Sequence, residues 1–271
     1  MKLVFQLIVI LCCVFSNNTV NASQGPTDSL IVVMGEDSFP YQFVDNEGEA
    51  SGLLVDLWKE WGKRTDTSLV FVARHWNESL AQLQQGNAQV HIGMGKTPER
   101  EQLFDFADPI ADVRTYLYLH KSLQGKKNIK ELVPYQIGIV SGSSHEAELR
   151  RIEPALVFKY YESREKLLAG VAAGDTVVFA GLDGYLRDPS SNQTIAANFP
   201  LNIRIPIKAM QFVPAVMKHN TALLNKIKAG FNALDPKFIQ QTERRWLGYH
   251  GQKAGLIVAM QLGIEPFVDL G

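Results

Sequence analysis

The chain has 271 residues, with 27 Lys and Arg against 28 Asp and Glu and a formal net charge of -1. That length exceeds a minimal domain and suits two lobes or one large domain, each able to bury a core. The balanced charge shows no basic stripe and gives no electrostatic case for nucleic acid as a partner.

Residues 1–22 read as a signal peptide: Lys2 gives a positive start, 3–15 is apolar apart from Gln6, and Val20-Asn21-Ala22 is a small-residue cleavage pattern. The apolar run is short of the roughly 18 residues a membrane span needs. Export to the periplasm is therefore expected. Both cysteines, Cys12 and Cys13, fall in this segment, so no thiol, disulfide or Cys-ligated metal is expected after it.

A β-branched strand is predicted over 29–34, followed by a rigid aromatic loop, Phe39-Pro40-Tyr41-Gln42-Phe43, and a turn at 45–48. Over 53–64, Leu54, Leu57, Trp58 and Trp61 recur at helical spacing and read as core. A strand over 69–73, a helix over 76–85 stopping at Gly86, and a strand over 90–94 then give strand-helix alternation. That alternation predicts a mostly parallel α/β sheet with its ligand site outside the carboxyl ends of the strands.

The third of these strands delivers GMGKTPEREQLFDFADP, residues 93–109. Thr97 is placed to cap a short helix that opens on Pro98, and Arg100 is left beside a strand end and a helix start, where an anion fits. Phe104, Phe106 and Pro109 should anchor the turn while Arg100 stays free. A surface pairing of Arg100 with Glu99 or Asp105 is the ordinary alternative.

The pattern then restarts. A strand over 115–120 and a basic loop over 121–130 precede a strand over 136–140, a Ser141-Gly142-Ser143-Ser144 turn and a helix over 145–152. Capping alone would explain the serines, yet the same turn offers hydroxyls and backbone N–H groups to an anion. Strand, helix and strand are predicted over 157–161, 164–173 and 176–180, with Asp183 just beyond. Short strands over 203–207 and 212–217 and helices over 220–234 and 236–247 complete the unit. Two such sets predict two lobes facing each other across a ligand.

Taken together, FPYQFVDNEGEASGLLVDL, HIGMGKTPEREQLFDFADP, IGIVSGSSHEAEL, LLAGVAAGDTVVFAGLDGYL and the helices through RRWLG resemble, in this order, the family 3 periplasmic solute-binding proteins. The resemblance implies a two-lobed Venus flytrap fold with two hinge crossings, placed near 118–122 and 209–213. Lobe 1 would hold about 28–118 plus 214–248, lobe 2 about 119–212, within a domain of 23–250. It also implies that Arg100 grips a ligand carboxylate, that Ser143 and Ser144 hold the same group, and that Trp76 with either Phe39 or Tyr41 sandwiches the ligand's body. Gly93 and Gly95 stand where small hydroxyl residues are common, so only backbone groups serve there. Lys96 occupies a slot usually apolar or small. Leu182 falls at the position of the acid that pairs an α-ammonium, with Asp183 one place along, so a carboxylate fits better than a standard amino acid unless Asp183 swings in.

No nucleophile with its base and no metal-ligand spacing is seen, so neither catalysis, cofactor nor metal is expected. A dehydratase-like enzyme on the same fold is the alternative from another class. His145, at the second helix start, is the histidine nearest the expected ligand, with plain solvent exposure as the alternative. Finally, Leu256, Ile257, Val258, Met260, Pro266 and Phe267 match Leu30, Ile31, Val32, Met34, Pro40 and Tyr41 at one constant offset. Residues 251–271 thus resemble a linker and the start of a second such domain, as in BvgS-like tandem-domain sensor histidine kinases. The expected partner is a membrane sensor kinase portion, or else the permease of an ABC amino-acid importer.

Overall fold

The computed structural model describes residues 29–187 and 193–247. The expected signal peptide and the repeated motif in 251–271 lie outside the described residues.

The first half is built on β1 (Leu30–Gly35), whose all but continuous burial follows from its apolar, β-branched composition. A small antiparallel sheet follows: β2 (Asp37–Ser38), β3 (Gln42–Val44) and β4 (Ala50–Ser51). The aromatic loop is thus pinned to a hairpin, a feature absent from the sequence reading. Next come α1 (Leu53–Arg64), β5 (Leu69–Arg74), α2 (Trp76–Gln84), β6 (Val90–Met94), α3 (Pro98–Leu103) and β7 (Phe104–Phe106). β1 pairs in parallel with both β5 and β6.

α1 carries the largest core side chains. Trp58 and Trp61 are fully buried, their rings 5.0 Å apart, and Phe231 meets the Trp58 ring edge-on at 5.0 Å. Each indole N–H has an acceptor, Ile92 O at 2.8 Å and Ile227 O at 3.1 Å, so neither buried donor is left unsatisfied. Both tryptophans are core, as their spacing predicts.

The second half contains β8 (Ala111–Leu119), β9 (Gln136–Val140), α4 (His145–Ile152), β10 (Val157–Tyr161), α5 (Arg164–Ala172), β11 (Val178–Leu182) and α6 (Gln193–Asn198). β9 pairs in parallel with β10 and β11, while β8 runs antiparallel to β11. The chain returns along β12 (Arg204–Met217) and ends in α7 (Thr221–Asn232) and α8 (Pro236–Leu247). Across the whole sheet the strand order is β10-β9-β11-β8-β12-β6-β1-β5, with β7 also on β12. The fold is the expected two-lobed α/β architecture.

The two long strands differ from expectation. β12 is continuous over 14 residues where two short strands were predicted. Its first part has β8 as its partner, which leaves Pro206 on an edge where its missing N–H costs no ladder bond. Its last part pairs with β6 and β7, and its register shifts between Ile207 and Met210 and again between Val213 and Ala215. β12 therefore belongs to both halves and bends where it passes between them.

β8 begins four residues before the predicted strand, at Ala111, which pairs with Phe212. Ala111, Val113 and Thr115 are buried while Asp112 and Arg114 point out, so the alternation extends upstream of the aromatic run. The predicted first crossing at 118–122 does not hold for Tyr118 and Leu119, which are fully buried and paired to Phe179 and Val178 of β11. β8 pairs with β12 from Ala111 onward, so the pairing of the second half's sheet already begins upstream of 118.

Candidate functional site

Arg100 is the point where the two halves meet. Thr97 caps α3 as predicted, its Oγ1 accepting from the Arg100 N–H at 3.3 Å, a contribution of about 1 kcal/mol. The expectation that the Arg100 side chain stays free is corrected: the residue is only 7% exposed. Its Nη1 donates to Gly95 O at 2.5 Å within the first half, and its Nη2 to Gly142 O at 2.7 Å in the second. Burial pulls the guanidinium down to about 10, so it stays charged at neutral pH. Among the described residues no carboxylate comes within ion-pair distance of it. A buried cation satisfied by carbonyl dipoles alone is a strong attractor for an anion.

Trp76 opens α2 and converges on the same place. Its Nε1 donates to Gly142 O at 3.0 Å, and the Arg100 guanidinium lies 5.4 Å from its ring centroid. Behind it His91 stands edge-on at 5.5 Å, fully buried, with Nε2 3.2 Å from Ser79 Oγ and Nδ1 accepting from Gly93 N at 3.2 Å. Burial first, and then the Arg100 charge, pull His91 down to about 3, which keeps it neutral.

Gly142 owes its position to conformation. Its φ is +69°, which L side chains rarely adopt, and a Cβ would fall 2.0 Å from Asn77 Oδ1. Only glycine lets this turn press its carbonyl against Arg100 and Trp76. Gly95 is similarly confined, since a Cβ there would meet Met210 Cε at 2.3 Å and Ser144 Oγ at 3.0 Å.

Ser144 donates to Met210 Sδ at 3.6 Å and makes no side-chain cap bond to α4. The Ser143 hydroxyl oxygen is buried and has no hydrogen-bond partner. His145 is not solvent exposed: it is 7% exposed, its Nε2 is unpartnered, and burial followed by the Arg100 charge pull it down to about 4.

Other expected site residues have their own partners. Gly93 offers no backbone group, because its carbonyl accepts from Gln42 Nε2 at 2.9 Å and its N–H is held by His91. Tyr41 is 3% exposed, with its hydroxyl donating to Asp112 O at 3.3 Å and its ring edge-on to Phe212 at 5.3 Å. Phe39 packs edge-on against Phe43 at 5.1 Å. Neither ring is paired with Trp76. Asp183 does not swing in: Arg204 holds it at 2.6 Å and Arg187 at 3.0 Å, and Arg204 itself lies over the Tyr116 ring at 3.8 Å. Lys96 turns to Glu101 at 2.9 Å, with the Phe106 ring centroid at 5.3 Å.

Three residues were missed. Gln42 is fully buried and ties Gly35 N to Gly93 O, fixing the ends of β1 and β6. A lone amide inside an aromatic run was the available signal. His91 interrupts an apolar strand in the same way, whereas nothing in the sequence marks Met210 as the neighbour of Ser144.

The model of the bacterial extracellular solute-binding proteins, family 3, matches residues 30–249. Among curated relatives, the amino-acid-binding protein AabA of Dichelobacter nodosus is 25% identical over 193 residues, 69% of this chain and 75% of that protein. The arginine-binding extracellular protein ArtP of Bacillus subtilis is 24% identical over 164 residues, covering 59% of this chain and 64% of ArtP. Among solved structures, a histidine kinase sensor domain with similarity to periplasmic binding proteins superposes with a TM-score of 0.69 at 19% identity, over 81% of this chain and 96% of that one. An ancestral arginine-binding protein bound to arginine gives 0.69 at 20% identity, over 81% and 98%.

Proposed function

The chain belongs to the bacterial extracellular solute-binding proteins of family 3, and from that premise we propose that it binds a small carboxylate or amino acid between its lobes outside the cytoplasm. The observation that carries this reading is the buried Arg100, which bridges the halves and, among the described residues, has carbonyl acceptors but no acid at ion-pair distance. A ligand carboxylate can accept from N–H groups of the guanidinium that the two carbonyls leave over and couple binding to closure, since only the closed arrangement brings both lobes to it. Ser143 and Ser144 approach from the second lobe, and Trp76 supplies the apolar wall.

The role is that of a sensory module of a transmembrane receptor, with the soluble receptor of an amino-acid importer as the second reading. The repeated strand-proline-aromatic pattern in 256–267 supports the sensor, as does the fold likeness to a histidine kinase sensor domain. The names of the curated relatives speak of amino-acid and arginine binding, and one of them, the putative amino-acid ABC transporter-binding protein PatH of Vibrio harveyi, supports the importer. An enzyme has less support: an ancestral precursor of cyclohexadienyl dehydratase shares the fold at 20% identity, but Asp183 and Glu146 are committed to different arginines.

Thermal shift of the purified protein against a library of amino acids and carboxylates is the test. Stabilisation by some member, lost in Arg100→Ala, is expected; no stabilisation by any member would refute ligand binding. Reading the gene downstream separates the roles, because a second domain of this type, a membrane helix and a kinase would exclude the importer.

A further inference from the structure

The acids Asp183, Asp37, Glu36 and Asp112 each have a partner within the chain, whereas Ser143 Oγ and His145 Nε2 have none. Asp183 is held by Arg204 and Arg187, the Asp37 carboxylate accepts the Arg164 N–H at 2.8 Å, Glu36 contacts His75 Nδ1, and Asp112 accepts from Gln211 at 3.1 Å. An incoming ammonium group would have to take Asp183 from two guanidiniums. Arg204, stacked on Tyr116, would then lose its acid.

On the other side stand Arg100 and the start of α4, an eight-residue helix whose N-cap Ser144 makes no side-chain cap bond. Ser143 Oγ and His145 Nε2 are both enclosed there without a partner. His91, the other imidazole that feels Arg100, has both ring nitrogens engaged by Ser79 and Gly93. An enclosed polar atom left unpaired is costly, so the contrast between the two histidines points to a group that His145 meets from outside the chain. Kept neutral by burial and by Arg100, its imidazole has one N–H donor and one acceptor nitrogen.

We propose that Ser143 and His145 complete, with Arg100, a site for a carboxylate that has no α-ammonium group: a 2-oxo or 2-hydroxy acid. Arg100 takes the carboxylate, and Ser143 Oγ and His145 Nε2 take the neighbouring oxygen. A neutral imidazole can donate to an oxo group or accept from a hydroxyl, whereas an ammonium group at that place would set a second cation beside Arg100 with no acid among the described residues free to pair it. The inference rests on the ligand-binding reading above and narrows its ligand class.

Isothermal titration with matched sets tests it: alanine, pyruvate and lactate; glutamate, 2-oxoglutarate and 2-hydroxyglutarate; leucine and 4-methyl-2-oxopentanoate. In at least one set the oxo or hydroxy acid should bind about ten-fold or more tightly than the amino acid. Ser143→Ala and His145→Phe should bring the two affinities together, and His145→Gln should keep part of the preference, with thermal midpoints confirming that each variant folds. If the amino acid binds as tightly or more tightly, the class is wrong while ligand binding stands. If no compound binds the wild type, both fall; if the variants keep the full preference, Ser143 and His145 do not read the ligand.

Discussion

Arg100 and Gly142 lie in different halves of the chain, and Nη2 of the one donates to the carbonyl of the other at 2.7 Å. The same carbonyl accepts the Trp76 indole N–H at 3.0 Å. One backbone oxygen of the second lobe is therefore shared by the two first-lobe side chains best placed to hold a ligand, so closure and ligand contact use the same groups.

Removing the guanidinium should separate binding from folding. Arg100→Ala is expected to weaken the tightest-binding carboxylate about 100-fold, equivalent to ~3 kcal/mol. Arg100→Lys should recover little, since an ammonium cannot reach Gly95 and Gly142 together in a planar fork. Titration calorimetry beside a thermal melt checks this. A variant with wild-type affinity would remove Arg100 from the site.

Gly142 controls how the lobes come together. Gly142→Ala places a Cβ at a φ of +69° and against Asn77 Oδ1, a strain on the order of 1–3 kcal/mol that falls on the closed form. Small-angle scattering should show a larger radius of gyration for this variant. Asn77→Ala in the same background should reverse the steric part, and identical scattering curves for all three proteins would count against the idea.

Glu243 makes stability depend on pH. Burial first, and then the Asp112 charge, raise its carboxyl from 4.5 to about 7. A raised folded-state value means the folded protein holds the proton more tightly, so the contribution is full below 4.5 and is lost as pH rises through about 7. Glu243→Gln should therefore raise the melting temperature at pH 8 by a few degrees and leave it nearly unchanged at pH 4. Equal shifts at both pH values would exclude Glu243 as the source.

The tryptophans of α1 should matter to stability and not to binding. Trp58→Ala removes a fully buried ring and its bond to Ile92 O, and is expected to cost about 3–5 kcal/mol in denaturant unfolding. Ligand affinity of the fraction that stays folded should be unchanged. A selective loss of affinity at unchanged stability would reverse the assignment of Trp58 to the core.

Much of this was determined by the sequence. The strand-helix alternation, the core face of α1 and the Thr97 cap follow from local periodicity and capping, which depend on residues a few places apart. The ordered motifs point to Arg100, Trp76 and the serine turn, and the fold brings these three together at the Gly142 carbonyl. Tertiary structure decided the rest, because it depends on pairings remote in sequence. Ala111 finds Phe212 across the sheet and so begins β8 early, and β12 runs unbroken because its two ends have different neighbours. Asp183 is lost to Arg204 and Arg187, Gly93 to Gln42 and His91, and Tyr41 to Phe212. Whether a polar side chain serves a ligand depends on whether another part of the chain has already satisfied it. Local spacing contains no record of that, and only the packed structure shows Ser143 Oγ and His145 Nε2 enclosed without partners, His145 within the field of Arg100.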